Sequence, residues 1–190
     1  MRIGIIILVI SCASAAQTAK RVTGDYSNPA LGYEVTVPEG FAGKTGDQAG
    51  PERGFTVTLP SGGTITVYGE PNSLEWKAPI DGIRHSLGLE KCNSDRRQGT
   101  GFGRMGRLTA TKGSLACDDR VLEMLLAFRQ GGRPIYWITL RTTTQNRVED
   151  EAVYNKLAAT FRLIPLPQGV IADGLSQASR SPHFNFLRST

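Results

Sequence analysis

GTGFGRMGRLTATKG, residues 99–113, decides between two folds. Gly101, Gly103 and Gly106 repeat the G-x-G-x-x-G spacing that cradles the pyrophosphate of a dinucleotide when it joins a buried strand to a helix in a parallel sheet. The flanking residues do not supply that setting. CNSDRRQ, residues 92–98, is polar and strand-poor, whereas RLTATKG alternates Leu108 and Ala110 with Arg107, Thr109 and Thr111, the period of a strand. The acid expected about 20 residues further on is also missing, since position 126 is Leu and the nearest acid, Glu123, lies inside another strand-like run. The stretch therefore reads as a glycine-rich turn with Phe102 and Met105 dipping back to a core. No cofactor is expected, and the fold is read as antiparallel.

The pattern extends in both directions from this turn. Downstream, RVLEMLLAFRQ (120–130), Gly131-Gly132 and RPIYWITLRTTT (133–144) form a hairpin whose strands are apolar on both faces, which places it in the middle of a sheet. NRVEDEAVYNKLAATFRLIP (146–165) then carries Val153, Tyr154, Leu157, Ala158 and Phe161 as one helical stripe, with Glu149, Asp150 and Glu151 in the first turn and Pro165 as the stop. Upstream, Tyr33, Val35 and Val37 alternate in a half-buried strand stopped by Pro38. Residues 42–54 read as a loop. Phe55, Val57 and Leu59 form a hairpin with Ile65 and Val67 across Ser61-Gly62-Gly63. A short helix starts near Pro79, with Ile80, Ile83 and Leu87 on one side and Gly88 at its end.

The opening residues, MRIGIIILVISCASAAQ, have one basic residue, a short apolar run and then small residues, the pattern of a bacterial secretory signal. The run is far shorter than the roughly 20 residues that span a bilayer. Residues 1–16 are read as the signal, cleaved at Ala13-Ser14-Ala15 or Ser14-Ala15-Ala16; an alternative lipobox, Val9-Ile10-Ser11-Cys12, makes Cys12 a lipidated first residue with a lipid anchor. The mature chain is expected in the periplasm or outside the cell. Of three cysteines, Cys12 lies in the signal, which leaves Cys92 and Cys117 as an even pair in an oxidising compartment and favours one disulfide. With only His85 and His183 in the chain, a tetrahedral metal site has no ligand set at hand.

Net charge is +5 over 190 residues, with no long basic run and no aromatic series among the arginines, so nucleic acid is not an expected partner. Residues 17–25 read as a flexible lead, 26–165 as one domain, and 166–190, rich in Gly, Ser, Gln and Pro, as a disordered tail.

The order of elements resembles the PsbP-like family: a Tyr33–Phe41 strand and turn (YEVTVPEGF), antiparallel strands, a long strand ending in RTTT, and an acidic-start helix closing on AATFRLI. That fold is shared by the extrinsic PsbP subunit of photosystem II, a Ran-binding nuclear import factor and many small exported bacterial proteins. The resemblance implies an α+β domain, an antiparallel sheet flanked by helices in an α/β/α sandwich, used mainly for binding and assembly. It carries no catalytic residue across.

Arg96, Arg97, Arg104 and Arg107 surround the glycine-rich turn and form a basic cluster suited to an anionic partner. Trp76, between Glu75 and Lys77, is a second contact candidate. His85 and Ser86 are adjacent on a helix and point apart, so they form no dyad; Asp118-Asp119 has no partner carboxylate at a defined distance. The expected function is therefore non-enzymatic: a binding or accessory protein of the envelope with a protein partner. An immunity or inhibitor protein against an exported toxin and a hydrolase are the alternatives.

Overall fold

The computed structural model describes residues 19–46, 52–93, 96–130 and 134–167. The signal over 1–16, Cys12, the Gly131-Gly132 turn, His183 and the tail from residue 168 lie outside the described residues. The elements in chain order are β1 (Arg21–Val22), β2 (Asp25–Asn28), β3 (Tyr33–Thr36), β4 (Gly43–Thr45), β5 (Gly54–Thr58), β6 (Thr64–Glu70), α1 (Pro79–Leu89), β7 (Arg96–Met105), β8 (Leu108–Cys117), β9 (Arg120–Phe128), β10 (Ile135–Thr143), α2 (Arg147–Ala159) and β11 (Arg162–Leu163).

The main sheet has the order β1-β4-β5-β6-β10-β9-β8-β7, every neighbouring pair antiparallel. β9 and β10 pair from Phe128 opposite Ile135 to Arg120 opposite Thr143, the central hairpin expected from their two apolar faces. Alternation along these strands feeds two cores. On one face Ile83 and Leu87 of α1 pack on Leu115, Leu122, Met124, Leu126, Ile135 and Trp137. On the other, Tyr154, Leu157 and Ala158 of α2 and Tyr33 and Val35 of a second, three-stranded sheet (β11-β3-β2) pack on Val57, Val67, Leu125, Tyr136 and Ile138. The result is the expected antiparallel sheet flanked by helices, with a small sheet added beside α2.

Cys92 and Cys117 are bonded, with Cα atoms 5.5 Å apart, tying the segment after α1 to the end of β8. Both helices begin where expected. α1 runs through Gly88 to Leu89. α2 ends at Ala159, six residues before Pro165, because Arg162 and Leu163 leave the helix to pair with Glu34 and Tyr33. Two further departures concern polar residues. The segment 17–25, expected to be a flexible lead, carries β1, and Gly43–Thr45 within the expected loop forms β4 between β1 and β5.

The largest departure is at the opening stretch. The glycine-rich segment is a ten-residue strand, β7, paired residue for residue with β8 from Arg96 opposite Cys117 to Met105 opposite Leu108. The turn is only Gly106-Arg107. β8 carries the apolar alternation and sets the register, while β7, at the sheet margin and exposed along most of its length, needs none of its own. Met105 is fully buried as expected; Phe102 is 91% exposed and does not dip back.

Candidate binding surface

Among the described residues β7 has one hydrogen-bonded strand neighbour, β8, and its other side is open. Alternation separates its arginines. Arg96 and Arg104 point to the α1 face with Gln98, Thr100 and Phe102; Arg97 points to the α2 face with Gly99, Gly101 and Gly103; Arg107 lies in the turn. The expected cluster is thus a stripe along one sheet margin, divided between its faces.

The four do not serve equally. The Arg96 guanidinium donates to the carbonyls of Leu87 and of Glu90, the latter at 2.9 Å, and to Gln98 Oε1 at 3.3 Å, so it closes the C-terminal end of α1. Arg97, Arg104 and Arg107 form no ion pair among the described residues. Trp76 is half-buried, its ring edge-on to Trp137 at 5.9 Å and tilted against His85 at 5.8 Å, so its indole is occupied within the α1-side core.

A cleft opens on each side of the β7 margin near Gln98 and Gly99. The α1-side cleft, about 440 Å³, lies between Arg84, Leu87 and Gly88 of the helix and Arg96 and Thr100 of the strand. The α2-side cleft, about 580 Å³, is walled by Arg97, Ser114, Asp118, Thr144 and Arg147, with Glu123 among its lining residues. The Glu123 side chain is fully buried; Oε1 accepts a hydrogen bond from Arg147 at 2.6 Å, and Lys112 Nζ is 3.2 Å from Oε2, which receives no aligned donor. Burial raises the proton affinity of this carboxylate, opposed by Lys112 and Arg147. Arg147 also bonds Glu151 at 3.0 Å, which strengthens its hold on its proton.

Of these cleft residues only Arg96 and Arg97 were among the sequence candidates. One signal was present: Glu123 is the only acid inside RVLEMLLAF, and an acid at an inward strand position needs a cation supplied from elsewhere. Arg84 and Arg147 give no such signal, because ordinary helix surfaces carry arginines at the same spacing.

A third cleft, about 320 Å³, lies on the α1 face beside the disulfide, floored by Leu115, Cys117 and Leu122. Its arginines are engaged: Arg141 meets Glu90 at 2.5 Å, and Arg120 donates to Lys91 O at 3.0 Å and faces Asp118 at 3.6 Å. His85 is exposed on α1 beside Ser86, and among the described residues no three His, Cys, Asp or Glu side chains converge as metal ligands do. No helix among the described residues is long and apolar enough to cross a membrane.

No family model matches the sequence, and no curated protein is similar to it. The fold is similar to the solution structure of cyanobacterial PsbP (CyanoP) from Synechocystis sp. PCC 6803, with a TM-score of 0.51 at 14% identity, over 82% of this chain and 98% of that one.

Proposed function

We propose, from a PsbP-like fold as the premise, that this chain is an exported, non-enzymatic accessory protein that binds an anionic protein partner through the outer margin of its disulfide-tied hairpin. The observation that carries this reading is the state of β7 and the turn after it: a ten-residue margin strand with an exposed phenylalanine, with Arg97 and Arg104 on the strand and Arg107 in the turn, all three left without ion pairs by the described residues. A solvated arginine costs nothing to a fold, but Phe102 at the centre of the same strand gains nothing from water. The secretory signal supports an envelope setting, in which the disulfide persists.

The test is affinity capture from envelope extracts with the mature chain, beside a variant carrying Arg97→Ser, Arg104→Ser and Arg107→Ser. Arg96 is left intact because it bonds α1. A stoichiometric partner retained by the first and lost by the second is the expected result. Equal capture by both baits overturns the reading.

A further inference from the structure

We propose that the partner binds as an added strand: an extended acidic segment of another polypeptide pairs with the open side of β7 and sends alternate side chains into the clefts on its two faces. The inference rests on the preceding reading that this margin is the contact surface, and specifies how it is used.

A sheet margin presents a row of unpaired N–H and C=O groups, and proteins usually blunt it with proline, a bulge or a very short strand. β7 has none of these. It is ten residues long, pairs with β8 without interruption, and contains no proline. At its centre the Cβ position of Gly101 has no atom within 4 Å, whereas that of Gly103 is covered by Leu125 and that of Gly99 lies 3.0 Å from Ser114 Oγ. An incoming backbone meets no side chain at Gly101.

Successive side chains of an added strand point to opposite faces. At Gln98 and Gly99 those directions lead into the two clefts, one with Arg84 and Arg96 in its walls, the other with Arg97 and Arg147. Main-chain pairing would supply affinity and the clefts selectivity, the division of labour usual in strand addition. The α1-side cleft, with Arg84 and Arg96 and no acid in its walls, selects a carboxylate on that face; on the α2 face Arg147 is held by Glu123 and Glu151 and Asp118 faces Arg120, so Arg97 is the cation that selects the second carboxylate. Phe102 and Thr100 share the α1 face with Arg96 and select an apolar or β-branched neighbour. A second copy of the chain fits less well: opposite residues of an antiparallel pair share a face, so two β7 strands paired about Thr100 place Arg96 opposite Arg104, and like charges directly opposite are destabilising.

The experiment is an NMR titration of the isotopically labelled mature chain with a capped nine-residue peptide of alternating Thr and Val bearing two consecutive Asp residues. The same peptide with Lys for Asp, and one with Pro at a central Val, serve as controls. The expected result is binding of the Asp peptide with every second amide between Arg97 and Gly103 exchanging at least about tenfold more slowly. The Pro and Lys peptides bind at least about tenfold more weakly, as does the Asp peptide to an Arg97→Ser, Arg104→Ser variant. If the Pro peptide binds equally well and no β7 amide is protected, strand addition is wrong, while sensitivity to the arginine variant leaves the surface itself standing. If the Asp peptide fails to bind although extract capture still depends on the arginines, this inference alone falls. Protection of β7 amides without peptide, rising with protein concentration, makes a second copy the occupant and also overturns it.

Discussion

Gly106 is the one glycine of the G-x-G-x-x-G spacing that the backbone requires. Its φ is +55°, a Cβ there would lie 1.8 Å from the carbonyl oxygen of Phe161, and its amide donates to Ala158 O at 2.8 Å, so the turn is pressed against the end of α2. Gly106→Ala is expected to cost at least about 2 kcal/mol. Gly101→Ala, in open space on a strand, should stay within about 0.5 kcal/mol of the parent. Denaturant midpoints measure both, and equal losses would refute the distinction. A second residue-scale expectation concerns Glu70, which accepts a hydrogen bond from Trp137 Nε1 at 2.9 Å and faces Arg53 at 3.5 Å. Burial raises its pKa, with Trp137 and Arg53 opposing. The folded state therefore holds this proton more tightly than the unfolded chain, so the contribution of Glu70 to stability falls as pH rises from about 4.5 through its folded pKa. Glu70→Gln removes that slope. Relative to the parent, its melting temperature should improve between pH 4.5 and 7, and a constant difference would contradict the assignment.

Among the elements, α2 is fastened by a carboxylate that its sequence seemed to commit to the helix dipole. Asp150 is turned inward and buried, where Ser61 Oγ donates to it at 2.9 and 2.8 Å and Thr142 Oγ1 also donates. One side chain thus joins α2 to the β5–β6 turn and to β10. Asp150→Ala leaves both hydroxyls without their acceptor and is expected to cost about 2 to 3 kcal/mol, with Ser61→Ala costing less; chemical denaturation distinguishes them. The same helix shows what was legible in advance. Its stripe of Tyr154, Leu157, Ala158 and Phe161 was readable because periodic burial leaves a periodic pattern, and so was the β9–β10 hairpin. β7 was not, because a margin strand in water is free of the apolar alternation by which strands are recognised, and its glycines resemble a turn. β1, β4 and β11 are two or three residues long and exist only through their partners. The proposed binding surface was half legible: its arginines could be named from the sequence, but their division between two faces required the strand.

For the whole molecule, the disulfide is the main covalent constraint among the described residues, closing a separation of 25 residues. Loop closure of that size contributes about 3 kcal/mol. Replacing Cys92 and Cys117 together by Ser should lower the denaturation midpoint accordingly. Amide exchange should quicken most along β7 and β8, whose far end loses its tie to α1. Uniform acceleration would instead mean that the bond steadies the whole fold. The strand order carries a further consequence, for the time course of folding. β10 through β7 form a meander of neighbours, but the centre of the sheet joins β6 to β10, with Thr64 beside Arg141 and Glu70 beside Ile135. The chain must finish α1 and the β7–β8–β9 excursion before that seam can close. Searches of such length dominate refolding rates. The cysteine bridge lies wholly inside the excursion and shortens the seam's loop from about 65 to about 40 residues, which lowers its closure cost by only about 0.4 kcal/mol. Oxidation should therefore slow unfolding more than it hastens refolding.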